Sequence, residues 1–99
     1  MKIDFKSLNT KEKFLQYMQE NLEDMYSLNY DALIDSISAY KNLELELLNI
    51  DSYENVDLII EIFEIIKNNY SYIKIKGLKL KWTLFWALNK KRPLMIKLS

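Results

Sequence analysis

The feature that most limits what this chain can fold into is a set of short runs in which apolar and charged residues alternate, separated by stretches with helical spacing. Leu43-Glu44-Leu45-Glu46-Leu47-Leu48-Asn49-Ile50 is the clearest of them. Successive side chains of a strand point to opposite faces, so such a run makes a strand with one face buried and the other wet. A strand covered on both sides would show a near-continuous apolar run instead. Residues 2–8 alternate likewise, with Ile3, Phe5 and Leu8 apolar against Lys2, Asp4 and Lys6, and Tyr70 to Lys76 alternate with Ile73 and Ile75 inward.

The stretches between carry the 3.6-residue period. Asn9 followed by Glu12 reads as a capping box at a helix start, and Phe14, Leu15, Met18 and Leu22 form the helix's apolar stripe. Glu20, Glu23 and Asp24 fall near its far end, where the helix dipole disfavours negative charge. Asn29 is an N-cap for a second helix with Tyr30, Leu33, Ile34, Ile37 and Tyr40 on one side and Asp31, Asp35 and Ser38 on the other. After a turn at 51–55, Asp57, Glu61 and Glu64 step by four and three, while Leu58, Ile59, Ile62, Phe63 and Ile66 hold the opposite side. The isoleucines favour a strand there, but the charge spacing favours a helix and decides it. The order strand, helix, helix, strand, helix, strand predicts an α/β fold: a small layer of three parallel strands joined by helical crossovers, with the helices packed on one face.

At Gly77 the apolar phase slips from odd to even numbers, and Leu78, Leu80, Trp82, Leu84, Trp86 and Leu88 follow at intervals of two. A lone Gly at such a slip reads as a bulge or tight turn. Residues 78–98 are expected to form a β-hairpin, with a helix over 82–88 followed by an extra strand as the alternative. One domain over 1–99 is expected, with a core of 1–76 and a C-terminal extension of 77–99 that could serve as a homodimer seam.

Composition narrows the chemistry. The chain has no Cys and no His, which removes disulfides, thiolate ligands and the commonest general base and metal ligand. No Gly-rich phosphate loop is present, so neither an enzyme nor a cofactor is expected. Its longest apolar runs, such as 84–88, fall far short of the roughly 20 residues a membrane span needs, and a cytoplasmic location is expected. All 14 acids lie at or before Glu64 beside five lysines, a net of −9, and the nine bases after it stand without an acid, a net of +9. Either the acidic part forms a face for a basic partner, or the two parts interleave and cancel.

Asp31 and Asp35, four apart on the outward side of the second helix, have no nearby base in that helix. Like charges at this spacing repel by a few tenths of a kcal/mol, so helix stability does not account for them. The surrounding run Tyr26-Ser27-Leu28-Asn29-Tyr30-Asp31-Ala32-Leu33-Ile34-Asp35 resembles the barstar family's motif Tyr-Tyr-Gly-x-Asn-Leu-Asp-Ala-Leu-Trp-Asp. The matching positions are Tyr26, Asn29, Asp31, Ala32, Leu33 and Asp35, and the element order from residue 2 to about 76 is similar. Barstars are intracellular inhibitors of secreted ribonucleases of the barnase type. The resemblance implies that the acidic helix plugs a basic, phosphate-binding active site in a 1:1 complex, with Asp35 at the family's most important acid. It also implies partner contacts from Asp31, Tyr26, Asn29, Ser38 and Tyr40, and from the later acids Glu61 and Glu64. The chain departs from the pattern at Met25, where the family has a contact Tyr, at Ser27 for Gly, at Ile34 for Trp, and at Ile65, which aligns with the family's later acid.

Read from the residues alone, Asn29 is foremost a cap, and Tyr26 and Tyr30 belong to core or rim. Calcium binding at Asp31 and Asp35 would need a spaced acidic loop that is absent. The basic aromatic run from Lys74 to Arg92 invites a second function, a nucleic-acid-binding regulator, since Lys can pair with phosphates and Trp can stack on bases. The alternation instead places Trp82 and Trp86 with the leucines, and a nucleic-acid or membrane partner is not expected.

Overall fold

The computed structural model describes residues 1–78, and these form an α/β layer. The elements are β1 (Lys2–Asp4), α1 (Lys11–Asn21), α2 (Tyr30–Ser38), β2 (Leu43–Leu48), α3 (Val56–Asn69) and β3 (Ile73–Lys76), with a 3-10 turn over Ile50–Ser52. The strands lie in the order β1-β2-β3, and both pairings are parallel. Each crossover therefore moves to the adjacent strand in the same direction. Among the described residues strand order never reverses, so these three strands form no switch-point crevice of the kind where open α/β sheets usually bind ligands.

One face of the sheet carries the core. Ile3, Leu45, Leu47 and Ile73 point into it, together with Phe14, Leu15 and Met18 of α1, Leu33 and Ile37 of α2, and Ile59, Phe63 and Ile66 of α3. The other face is charged. The register aligns Lys2 with Glu46, Glu46 with Lys76, and Glu44 with Lys74, so bases and acids alternate across the strands. Opposite charges on directly paired positions add a few tenths of a kcal/mol each. Here two of the late bases interleave with the earlier acids. Lys74 and Lys76, at the start of the basic run, thus stand opposite Glu44 and Glu46.

The expected elements form with shorter strands and one different cap. β1 ends at Asp4 instead of continuing to residue 8, because the amides of Ser7 and Leu8 turn back to the Asp4 carbonyl. β2 stops at Leu48, where Asn49 takes a positive φ of 55° and opens the 3-10 turn. β3 begins at Ile73, after a turn. The capping box at Asn9 and Glu12 does not form. Thr10 caps α1 by accepting from the Lys13 amide, and the Glu54 carboxylate accepts from the Lys11 amide at 2.7 Å. Asn9 is held by its carbonyl, which accepts from the Glu54 amide, and its side-chain oxygen is buried without a partner.

Gly77, directly after β3, has a φ of +85°, and a β-carbon on it would run into the Leu47 carbonyl oxygen. Both facts demand glycine. The expected hairpin, the alternative 82–88 helix, the dimer seam and both tryptophans lie outside the described residues. Among the described residues no helix is long and apolar enough to cross a membrane.

Gly77→Ala should lower stability by about 1–3 kcal/mol through backbone strain at the sheet, measured by urea denaturation. A second expectation concerns Asp4, whose carboxylate accepts from the Asn49 side-chain amide at 2.8 Å and from the Lys6 backbone amide at 3.0 Å. These bonds, Asn49's first, hold its pKa below the ordinary 3.8. A lowered carboxylate pKa stabilises the fold fully above the unfolded value, and the effect is lost as pH falls through the folded one. The stability gap between the wild type and Asp4→Ala should therefore be present at pH 7 and should close as the pH drops below 3.8.

Candidate functional site

The site is built around α2, whose orientation is set at both ends. At its start, Asn29 has extended backbone angles and its side-chain oxygen accepts from the Ala32 amide at 2.7 Å. The Asn29 Nδ2 donates to the Ser27 hydroxyl at 3.1 Å, tying the preceding loop to the cap. Tyr30, the first helical residue, places its hydroxyl 2.6 Å from that of buried Tyr53, and the Lys11 ammonium lies 5.2 Å from its ring centre. Burial pushes the Tyr53 phenol up, helped by the Tyr30 bond, so the Tyr53 hydroxyl stays protonated at physiological pH.

The body of the helix buries Ala32, Leu33 and Ile37 completely. Near its end, buried Ser36 donates its hydroxyl to the Glu23 carbonyl, and the Tyr40 hydroxyl accepts from the Glu23 amide at 2.9 Å. With those faces committed to packing, Asp31 and Asp35 are left exposed on the outer side.

Tyr26 joins them. Its hydroxyl donates to Asp35 Oδ2 at 3.2 Å although the side chain is 68% exposed. That bond, then desolvation, then the charges of Asp35 and Asp31 raise the Tyr26 pKa above the usual phenol value. Tyr26 therefore belongs to the surface and not to the core. Among the described residues no Lys or Arg side chain is hydrogen-bonded to either acid. Among the described residues, one carboxylate oxygen of Asp35 and both of Asp31 accept no hydrogen bond, which suits them to accept from donors of another molecule.

The remaining residues have more local roles. Ser38 is half-buried and donates its hydroxyl to the Asp35 carbonyl at 2.8 Å, so it is engaged with its own helix. Asn29 is the cap. Tyr40 is half-buried and borders a depression lined also by Glu23, Asp24, Ser36, Ala39 and Lys41. Glu61 and Glu64 stand on α3, which packs against α2, with Glu61 exposed and Glu64 half-buried. No hydrogen bond among the described residues links either to Asp31 or Asp35. Ile65, the residue after Glu64, is exposed.

Two features escaped the sequence. Leu28 is exposed in the loop beside the acids, and its only signal was an apolar residue just before a cap and outside the helical stripe. Ser36 is buried, and its partner, the Glu23 carbonyl, is a backbone group that no side-chain pattern announces.

The arrangement offers exposed carboxylates on a fixed helix beside a phenol. No group of three or more His, Cys, Asp or Glu among the described residues is placed to hold a metal ion. No protein-family model matches the chain, and no curated protein or solved structure does. The site must therefore be understood from its own geometry. Asn29→Ala should cost about 1 kcal/mol of stability, as loss of a side-chain cap does, and should release Ser27; urea denaturation measures the first and amide exchange in residues 26–32 the second.

Proposed function

We propose that this chain is a barstar-like immunity protein, a stoichiometric inhibitor that blocks the basic active site of a ribonuclease toxin with the Asp31–Asp35 face of α2 and performs no chemistry itself. The observation that carries this reading is the exposure of both acids, four residues apart, on a helix fixed at both ends, with Tyr26 as the sole hydrogen-bonding partner of their carboxylates among the described residues. A carboxylate so presented can accept from an Arg or Lys where a substrate phosphate would otherwise lie. Complementary charge also speeds the encounter, which a cell making a lethal nuclease needs. The six-position motif match and the parallel α/β element order support the same reading.

The alternative, a nucleic-acid-binding regulator, draws on the late bases. Of these, Lys74 and Lys76 are registered against Glu44 and Glu46, which works against a free basic stripe at the sheet. The remainder of that run lies outside the described residues.

The test is inhibition of a panel of barnase-type ribonucleases. Asp35→Ala should weaken inhibition roughly 30-fold or more, as loss of a binding hot spot does, with Asp31→Ala weakening it less. Both losses should shrink at high salt. Failure of the wild-type protein to inhibit any of them, or full potency in Asp35→Ala, would reject the proposal. A salt-dependent gel shift of RNA that survives Asp35→Ala and disappears on charge reversal of Lys79 and Lys81 would favour the alternative.

A further inference from the structure

Two large apolar side chains stand out in water on the loop that leads into α2: Tyr26 at 68% exposure and Leu28 at 47%. A single exposed Leu or Tyr needs no explanation. These two, however, sit on a loop held at both ends. Met25 before them is buried, and its carbonyl accepts from the Gln19 side-chain amide at 3.1 Å. Ser27 between them accepts from Asn29, which in turn caps the helix. The loop therefore holds both side chains outward where a loose segment could fold them back onto the core. The Tyr26 ring is further fixed by its own hydroxyl, which occupies one oxygen of Asp35.

We propose that Tyr26 and Leu28 extend the acidic face into a mixed contact surface, in which Tyr26 positions the Asp35 carboxylate and both side chains pack on an apolar wall bordering the cationic pocket of the same protein partner. This rests on the reading of α2 as a partner-binding helix. Apolar contacts beside an ion pair exclude water from it, and charge pairs strengthen as the local dielectric falls. The neighbouring acids argue against the other surfaces such side chains could meet. Nucleic acid and anionic lipid would both be repelled by Asp31 and Asp35. A protein with a basic site rimmed by apolar residues satisfies both halves of the surface. Tyr26 also narrows the geometry of recognition, because it occupies one acceptor position of Asp35 Oδ2 and leaves a donor the remaining ones.

The experiment uses a catalytically inactive ribonuclease from the panel, one whose active form the wild-type protein inhibits, and follows association and dissociation rates. Tyr26→Phe should weaken binding roughly 5- to 10-fold through the lost hydroxyl bond, and Leu28→Ser roughly 10-fold through lost apolar burial. Tyr26→Ala should lose more than Tyr26→Phe. All three should act on dissociation and leave the salt dependence unchanged, since none removes a charge, whereas Asp35→Ala should alter the salt dependence. Unchanged affinity in Tyr26→Ala and Leu28→Ser beside a large loss in Asp35→Ala would overturn the mixed surface and leave the acidic helix standing. No loss in Asp35→Ala would remove both. Positioning has its own readout in the free protein: the Tyr26 phenol, followed by NMR, should titrate at lower pH in Asp35→Asn than in the wild type, and an unshifted titration would overturn that role.

Discussion

The structure depends first on a cluster of four aromatic rings between the sheet and its helices. The Phe5 ring, just past β1, lies 5.3 Å from Phe14 of α1, 5.3 Å from Tyr53 and 6.5 Å from Phe63 of α3, centre to centre. Most of these contacts are edge-to-face, the arrangement that aromatic quadrupoles favour. The cluster joins the chain's beginning to its third helix, and Tyr53 gives it a polar tip. That tip meets the Tyr30 hydroxyl, so the packing of the core reaches directly to the start of α2. The direction in which the acid pair faces is thus a property of the core and not of the helix alone.

Much of this fold was legible because its sheet has one wet face. Glu44 and Glu46 between Leu43, Leu45 and Leu47 state the strand and its orientation together, a clarity that a sheet buried on both sides would have lost. The stripes of α1, α2 and α3 were legible for the same reason, and Asn29 is the cap it was expected to be. What stayed hidden rests on partners far away in the chain. Glu54 reaches across 43 residues to the Lys11 amide, taking the place of the local capping box. The Tyr26 bond to Asp35 and the Ser36 bond to Glu23 span 9 and 13 residues, and no periodicity encodes them. Strand ends were misplaced where backbone turns, at Asp4 and Asn49, override a side-chain alternation that continues past them.

Charge in this protein is organised differently on its two sides. On the open face of the sheet, Lys2, Glu46 and Lys76 form one row and Glu44 and Lys74 another, so acids and bases stand on neighbouring strands at matching positions. Among the described residues no base pairs with the acids of α2, and the end of α1 has no base in its last turn either. Among the described residues, opposite charges are therefore registered against each other in one place and left without such register in another. The second place is the one beside exposed Tyr26 and Leu28.

The two fastenings of α2 have a thermodynamic consequence. At one end stand the Asn29 cap and the Tyr30–Tyr53 hydroxyl pair, and at the other the bonds of Ser36 and Tyr40 to the backbone of Glu23. A helix pinned in this way has surrendered its conformational freedom during folding, before any encounter. A molecule that docks on it meets a prepared surface, and the entropic penalty of association falls mainly on that molecule and on a few rim side chains. Backbone movement on docking should then stay within about 1 Å, as in other preorganised complexes, and the shape of this face when free is close to its shape when occupied.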